Sequence, residues 1–223
     1  MDSLSQELID KIIDDLPRSS LLPCSLVAKR WRRRSQRRAF QEIKFFSEGE
    51  VDYGCTGILR DPDGIASYVH AVRFEGINSW NDPATFGRAL KNLGSLTTLW
   101  VTRTEIPDEL PDQILSLPNL KVLRIMAAKF EPKEPLPTHP APPQKGPLDW
   151  LELRGDVSGL GETLAKSRLT SRRLSLALRI AGIEQLIVHS SKTVVELKLY
   201  GTCYMHSSSR SDDNDGSPRY IPG

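Results

Sequence analysis

The residues that carry out most enzyme chemistry are few in this sequence and lie far apart. Its four histidines and three cysteines have neither the ligand spacing of a metal site nor the arrangement of a catalytic triad. They are His70, His139, His189 and His206, together with Cys24, Cys55 and Cys203. The cysteines form no CxxC pair, which indicates reduced, structural thiols. We therefore predict no catalytic residue, no metal and no cofactor.

The stretch GLGETLAKS, residues 159–167, has the glycines, lysine and serine found in phosphate-binding loops. It lacks the GxxxxGK[ST] spacing with which backbone N–H groups surround a phosphate. No nucleotide site is predicted here. We interpret the stretch instead as a borderline candidate for a short helix.

The strongest local charge is a basic run, with seven lysines and arginines among residues 29–38. Such a run can bind nucleic-acid phosphates, serve as a nuclear localisation signal, or form the solvated side of a protein-docking module. The whole chain carries a net charge of only +2, which argues against a protein built throughout for nucleic-acid binding. No platform of aromatic residues interleaves the arginines to stack on bases. Nucleic-acid binding through residues 29–38 is therefore our second hypothesis.

The basic run lies among short segments with the apolar spacing of amphipathic helices. Ser5 is the predicted N-cap of the first helix, and Pro17 helps to end it. The residues of its apolar stripe are Leu8, Ile9, Ile12, Ile13 and Leu16. A second helix is expected to begin near residues 19–20, with Pro23 in its first turn, and to continue through Trp31. Helices this short bury too little area to be stable alone, so we expect them to need a partner surface.

Residues 4–31, LSQELIDKIIDDLPRSSLLPCSLVAKRW, resemble the F-box motif, commonly written L-P-x-E-[LI]-[LI]-x-x-I-…-L-…-L-L-x-C-x-x-V-x-[KR]-x-W. Ser5 stands where the family usually has proline, and a serine can cap the same helix. The resemblance implies a three-helix bundle, ending at Phe40, that binds the Skp adaptor of cullin-RING ubiquitin ligases. The residues that it implies for adaptor binding are Leu4, Leu8, Ile9, Ile12, Leu16, Leu22 and Val27. An alternative interpretation is that these residues form only the core of an N-terminal helical cap.

The rest of the chain repeats the pattern apolar-x-x-apolar-x-apolar between residues 69 and 199, with one weaker copy at 171–176. The central residues stand at positions 72, 99, 123, 151, 174 and 197, so that successive copies are 23 to 28 residues apart. This spacing lies within the period of leucine-rich repeats, roughly 20 to 29 residues. The copies lack the asparagine of the consensus, which makes the repeats irregular. We predict a strand in each copy, with room for a helix after it, stacked into a solenoid with a parallel sheet.

One helix between the repeats is well delimited. Asp82 is its predicted N-cap, Pro83 its first residue and Gly94 its end. The residues predicted to face the core are Phe86, Ala89, Leu90 and Leu93. The stretches PDQILSL and GIEQLIV are apolar enough to form shorter helices of the same kind.

The predicted fold class is α/β, with successive regions of different character. Residues 1–46 form an F-box-like helical domain, residues 47–204 an irregular leucine-rich-repeat-like solenoid, and residues 205–223 a polar, disordered tail. A proline-rich loop at 131–147 replaces the helix of one repeat. The apolar stretches are shorter than the roughly 20 residues that span a bilayer, and the acidic N-terminus is unlike a secretory signal. We therefore expect an intracellular protein of the cytoplasm, the nucleus or both, with no membrane partner.

In each copy of the repeat, the residue between the last two apolar positions points away from the core. These outward residues are Arg73, Trp100, Arg124, Glu152, Ser175 and Lys198. We predict that they form a ladder across an exposed, concave sheet face that binds a target protein. Trp100 has the character of a binding hot spot, since tryptophan and arginine dominate many interfaces. An alternative is that Trp100 packs under a loop as part of the core.

The leading hypothesis is a non-catalytic substrate-recognition subunit of a Skp-cullin-F-box ubiquitin ligase. Its F-box would dock on a Skp-family adaptor, and through it on a cullin-RING ligase, while the repeats would bind an unknown protein substrate. Two alternatives stay open. They are the nucleic-acid-binding protein described above, and an adaptor-bound scaffold without a degradation role.

Overall fold

The architecture consists of three helices, followed by a seven-stranded sheet and the helices that connect its strands. This computed structural model describes residues 4–108, 110–130, 146–177, 180 and 182–201. The expected proline-rich loop at 131–147 lies outside the described residues except for its last two positions. The expected disordered tail at 205–223 lies outside them altogether. The described residues are α/β in class, as predicted.

Helix α1 spans Gln6–Asp15 and begins where the sequence predicts. The Ser5 hydroxyl accepts a hydrogen bond from the Leu8 N–H at 3.4 Å, which satisfies one of the free donors at the start of the helix. Leu16 takes an extended conformation ahead of Pro17, and the helix ends there. The predicted N-cap is therefore confirmed.

Helix α2 spans Arg18–Val27 and follows α1 almost directly. The predicted start at residues 19–20 was wrong, and Pro23 lies inside α2 rather than in its first turn. Pro23 has no N–H, so the helix loses one backbone hydrogen bond at this position. Leu21 of this helix is almost fully buried in the bundle core.

Helix α3 spans Lys29–Phe40 and is separate from α2. We predicted one helix through Trp31, but Ala28 breaks it by taking an extended conformation, with φ −155° and ψ 154°. The break lets α3 pack against both α1 and α2, where Ser35 and Ala39 are buried. Small side chains at these positions allow the helices to approach closely. The bundle core comprises Ile9, Ile13, Leu21 and Ala39, with Leu16 and Trp31 half-buried against it.

In the described ranges seven parallel strands follow, and each pairs with the next in chain order, which confirms the predicted parallel sheet. They are β1 (Glu42–Phe45), β2 (Ala71–Glu75), β3 (Thr98–Thr102), β4 (Val122–Lys129), β5 (Trp150–Asp156), β6 (Arg173–Ala177) and β7 (Glu196–Tyr200). Strand β1 was not predicted. Its inward residue Phe45 stacks on Phe74 of β2, with ring centroids 5.3 Å apart. The sheet therefore begins at residue 42, before the predicted domain boundary at residue 46.

The strand register places the central apolar residue of every repeat copy at one level of the sheet. In order across the sheet these residues are Val72, Leu99, Leu123, Leu151, Leu174 and Leu197. All but the last are almost fully buried. Because side chains alternate between the two faces of a strand, one face is continuously apolar and the outward residues share the other. The repeat pattern thus predicted the phase of these strands correctly.

Helices cover the apolar face of the sheet. They are α4 (Glu48–Arg60), α5 (Ile65–Tyr68), α6 (Pro83–Asn92), α7 (Leu110–Ser116), α8 (Ser158–Lys166) and α9 (Ile183–Ser190). Except for α5, these helices contact one another in chain order. Helix α6 has the predicted cap, because the Asp82 carboxylate accepts a hydrogen bond from the Thr85 N–H at 2.9 Å. It ends at Asn92, two residues before the predicted Gly94.

Strand β7 is the last strand that the structure describes, and its apolar residues are exposed. Leu197 is 43% exposed, whereas Leu123, at the same level of β4, is fully buried. The difference arises because β7 has a described neighbour on one side only. Leu123 and Leu197 therefore allow the same residue type to be compared at the same repeat position, once in the core of the described sheet and once at its edge.

We expect Leu123→Ala to lower the free energy of unfolding by about 2–5 kcal/mol, because it removes buried carbon atoms and leaves a cavity. Leu197→Ala is the matched control and is expected to cost about 1 kcal/mol or less, since its side chain already contacts solvent. Urea denaturation followed by circular dichroism measures both. Equal losses in the two variants would contradict the observed register.

The pKa of the Asp82 carboxyl lies below its usual value because the Thr85 side chain and N–H both donate hydrogen bonds to it. A carboxyl group with a lowered pKa in the folded state stabilises the fold above its unfolded pKa, and this contribution is lost as the pH falls through the folded-state pKa. Asp82→Asn keeps a capping side chain but cannot ionise. We expect its melting temperature to fall less than that of the wild type on acidification from about pH 5 to about pH 2.

The matched control for this comparison is Asp63→Asn, which changes an exposed aspartate outside the helices. It is expected to keep the pH dependence of the wild type. Thermal unfolding at a series of pH values provides the measurement. The same acid dependence in Asp82→Asn and the wild type would show that the cap does not depend on ionisation.

Candidate functional site

The bundle exposes large apolar side chains on two of its helices. One row runs from Leu4 along α1 through Leu8 and Ile12, and the other lies on α2 at Leu22, Leu26 and Val27. Their exposed fractions range from 39% at Ile12 to 79% at Leu26. We call these residues the apolar stripes. So many exposed apolar side chains on a small bundle are typical of a surface that binds another protein.

The structure divides the residues predicted to bind the adaptor into two groups. Leu4, Leu8, Ile12, Leu22 and Val27 belong to the apolar stripes. Ile9 is buried, and Leu16 packs half-buried against the bundle core. These two residues hold the bundle together and offer little free surface. Leu26 belongs to the stripes but was not in the predicted set, although its position four residues after Leu22 places both on one face of α2.

The arginines of the basic run fasten α3 to α1. Arg30 donates a hydrogen bond to the Leu4 carbonyl at 2.8 Å, and Arg34 donates to the Asp14 carboxylate at 2.8 Å. Arg38 donates to two carbonyls at the C-terminal end of α1. A cation at this end also faces the negative pole of the helix dipole. These three arginines therefore stabilise the bundle, and only part of the run is a solvated surface.

Arg30, Arg33 and Arg37 are exposed arginines on the side of α3 that faces α1. With Gln6 and Asp10 they line an open groove of about 410 Å³ between the two helices. The Asp10 carboxylate places a negative charge among these cations. The groove therefore offers a smaller positive potential than the number of arginines in the run suggests.

The outward residues of the repeat form the predicted ladder across the open face of the sheet. From β2 to β7 they are Arg73, Trp100, Arg124, Glu152, Ser175 and Lys198. Contrary to the prediction, two of them are buried: Glu152 is 1% exposed and Ser175 is 4% exposed. Glu152 is covered because arginines of β4 and β5 close over its carboxylate. The alternation of side chains along β5 determines that Glu152 points to the open face, and the neighbouring arginines determine that it is buried there.

Two groups of ionic residues lie on this face, each with a carboxylate between two guanidinium groups. We call them the first triad, Arg73, Glu75 and Arg103, and the second triad, Arg124, Glu152 and Arg154. In the first triad, Glu75 lies 2.9 Å from Arg73 and also pairs with Arg103. In the second, Glu152 lies 2.6 Å from Arg124 and 2.8 Å from Arg154. Each triad has one more positive than negative charge.

Trp100 lies between the two triads. The guanidinium carbons of Arg73 and Arg124 are each 5.8 Å from the centroid of its ring, within the range of a cation–π contact. Arg124 also lies 4.5 Å from the Trp150 ring centroid, and Arg154 lies 3.6 Å from that of Tyr200. Trp100 is half-buried among these side chains on the open face. The alternative that it packs under a loop as core is therefore wrong.

Three nitrogen atoms on this face are buried without a hydrogen-bond acceptor in the described part of the chain. They are Nε of Arg73, Nε1 of Trp100 and Nε of Arg154. Most buried polar groups in proteins are hydrogen-bonded, and leaving one unsatisfied costs roughly 1–3 kcal/mol. All three are N–H donors, and the Thr102 hydroxyl on the same face, which can donate or accept, is also buried without a partner in the described residues.

The histidines and cysteines that the structure describes do not converge on one site. Among the described residues, no group of three His, Cys, Asp or Glu is placed to hold a metal ion. Burial raises the pKa of the Cys55 thiol to about 12, so little reactive thiolate forms at neutral pH. His139, His206 and Cys203 lie outside the described residues. Within the described ranges, no helix is long and apolar enough to span a membrane.

We expect Glu152→Gln to lower the free energy of unfolding by roughly 1–3 kcal/mol, because it leaves two guanidinium groups against a neutral amide in a buried position. Glu196→Gln changes a more exposed carboxylate on the same face and is expected to unfold at the denaturant concentration of the wild type. Chemical denaturation followed by tryptophan fluorescence measures both variants. A Glu152→Gln variant as stable as the wild type would contradict the importance of the second triad.

A scan of the chain against models of protein families finds no match, and a search of the curated proteins finds none either. No family is therefore assigned by comparison. The function is inferred from the surfaces themselves, which are the apolar stripes of the bundle and the open face of the sheet.

Proposed function

We propose that this chain is a non-catalytic substrate receptor of a Skp-cullin-F-box ubiquitin ligase. In this proposal the bundle is an F-box that docks on a Skp-family adaptor. The sheet and its helices are an irregular leucine-rich-repeat solenoid that binds the target protein. The observation that carries the proposal is that five of the residues assigned to the adaptor by the F-box resemblance are exposed on a folded bundle.

The apolar stripes favour a docking role on energetic grounds. Burying a fully exposed leucine or isoleucine side chain contributes about 1.5–3 kcal/mol, and covering the exposed half of one that is already half-buried contributes about half of that. Leu8, Ile12 and Leu22 together can therefore supply a substantial share of the affinity of a stable complex. Among the described residues, the buried core of the bundle itself comprises four apolar side chains. A partner that covers the stripes would stabilise the bundle as well as bind it.

The connection between bundle and sheet also supports a receptor. Only Gln41 separates α3 from β1, so the described chain has no linker there. Arg18 of α2 lies 3.3 Å from the Glu42 carboxylate of β1 and donates a hydrogen bond to the Ala39 carbonyl at 3.2 Å. A receptor has to hold its target at a defined position for ubiquitin transfer, and a short, braced connection is suited to that task.

The alternatives predict different behaviour. The contacts that Arg30, Arg34 and Arg38 make inside the bundle argue against nucleic-acid binding through residues 29–38, because they leave fewer free cations for phosphates. An adaptor-bound scaffold would use the same apolar stripes. It differs from a ligase receptor only in that its bound target is not ubiquitylated.

We expect Leu8→Asp with Ile12→Asp to abolish binding to a purified Skp-family adaptor, because it places two carboxylates in the centre of the α1 stripe. Both residues are exposed, so the fold is expected to survive. Val188→Asp with Val195→Asp is the matched control, since it introduces the same charges at exposed apolar residues far from the bundle. Isothermal titration calorimetry measures adaptor binding by all three proteins, and circular dichroism compares their folding.

A wild-type chain that never binds the adaptor would overturn the proposal. So would equal binding by the two double variants. Salt-sensitive binding of DNA or RNA that is lost in Arg33→Ala with Arg37→Ala, but retained in Leu8→Asp with Ile12→Asp, would favour the nucleic-acid alternative instead.

A further inference from the structure

We propose that the open sheet face binds an acidic, extended segment of a partner protein, with one anionic side chain at each triad and the intervening backbone across Trp100. This inference rests on the proposed function in one respect, because it names the chemistry of the target that the receptor recruits. The recognition itself depends only on the ladder and the two triads.

The hydrogen-bonding groups of the face specify an acceptor-rich ligand. Each triad holds two guanidinium groups, with five N–H donors apiece, around a single carboxylate. The buried N–H groups of Arg73, Trp100 and Arg154 lie beneath this surface, so a ligand is recognised by the accessible N–H groups at the guanidinium ends. A carboxylate or phosphate oxygen is the strongest acceptor for a guanidinium, because the planar fork can bind it through two parallel hydrogen bonds. The face therefore complements anions and offers little to a basic segment.

The spacing of the triads specifies an extended ligand. Arg73 and Arg124 lie on β2 and β4, with Trp100 between them on β3. Two strand spacings separate these arginines by about 10 Å. In a polyproline II helix, residues i and i+3 share one side and lie about 9 Å apart. Two acidic residues at this interval can each reach a triad, and prolines between them can pack on the flat ring of Trp100.

The distribution of charge favours a protein segment over a nucleic acid. A nucleic-acid strand carries a phosphate at every nucleotide. The face offers its cations in two separate groups, with a carboxylate inside each group and the uncharged Trp100 between them. A ligand with two localised charges matches this arrangement better than a continuous polyanion. We therefore commit to an acidic segment of a protein.

The proposal is tested with short, fluorescently labelled peptides titrated with the full chain. The acidic probe contains Glu-Pro-Pro-Glu, the neutral control Gln-Pro-Pro-Gln, and the spacing control Glu-Glu-Pro-Pro. A fourth peptide carries phosphoserine at both acidic positions and distinguishes phosphate from carboxylate recognition. Fluorescence anisotropy is expected to show that the better of the two anionic probes binds at least roughly tenfold more tightly than the neutral control, and more tightly than the spacing control.

Variants locate the binding site on the face. Arg73→Gln with Arg124→Gln is expected to remove the preference for the anionic probe. Arg173→Gln with Lys198→Gln, at the far end of the same face, is the matched control and is expected to retain it. Trp100→Phe keeps a flat ring but loses the N–H donor and part of the cation–π attraction. The Trp100→Phe variant is expected to bind the anionic probe several-fold more weakly than the wild type does. It remains a test of the face if the double arginine variant does not fold.

Equal affinities for the anionic and neutral probes, or for the two spacings, would overturn the proposal. Tighter binding of single-stranded DNA than of either anionic peptide would also overturn it. Acidic residues of this chain that lie outside the described ranges are tested as competitors with two double variants, Glu131→Gln with Glu134→Gln and Asp212→Asn with Asp215→Asn. If the peptide binds only to one of these variants, the chain's own acidic residues occupy the face, and the proposal of a partner segment is overturned. Adaptor binding is measured on the same preparations. If the chain binds the adaptor but not the peptide, this inference is rejected and the proposed ligase function stands. If the chain binds the peptide but not the adaptor, the ligase function is rejected and recognition of the acidic segment stands.

Discussion

The arrangement of the other side chains follows from the burial of one apolar side chain from each of the strands β2 to β6, at the same level of a parallel sheet. Leu99, Leu123 and Leu151 lie side by side and are fully buried under the helices. Because side chains alternate along a strand, a shift of one residue would turn Trp100 and Arg124 towards the helices and expose the leucines. The core therefore determines which side chains share the open face and can form a site there.

The open face shows how this sheet accommodates several charged residues on neighbouring strands. Like charges directly opposite one another are destabilising in a sheet. Lys44 of β1 lies opposite Arg73, but from β2 to β5 Arg73 is followed by the aromatic Trp100, then by Arg124 and by the carboxylate Glu152, so that no two cations are opposite one another on these four strands. The same order leaves each aromatic ring beside a guanidinium. A surface of this kind is rich in hydrogen-bond donors and only weakly positive.

The bundle illustrates both the reach and the limit of prediction from sequence. Helix α1 was predicted correctly because its cap and its apolar spacing are local features. The break at Ala28 was missed, since it depends on how α3 packs against α1 and α2. The basic run was considered as a solvated surface, whereas Arg34 and Arg38 join helices that are about twenty residues apart in sequence. These contacts follow from the packing of the bundle, which the local sequence does not specify.

For the sheet, the strands that carry the repeat and the faces on which their residues lie could be predicted from the residue pattern, because apolar alternation is a local property and recurs at a regular interval. The tertiary structure alone decided that β1 joins the sheet, where Phe45 packs on Phe74 from a later strand. It also decided that Glu152 is buried, because Arg124 comes from 28 residues earlier in the chain and covers it only in the observed register. The positions of the candidate site residues could be predicted, but their charge balance and their burial depended on neighbours that only the folded chain brings together.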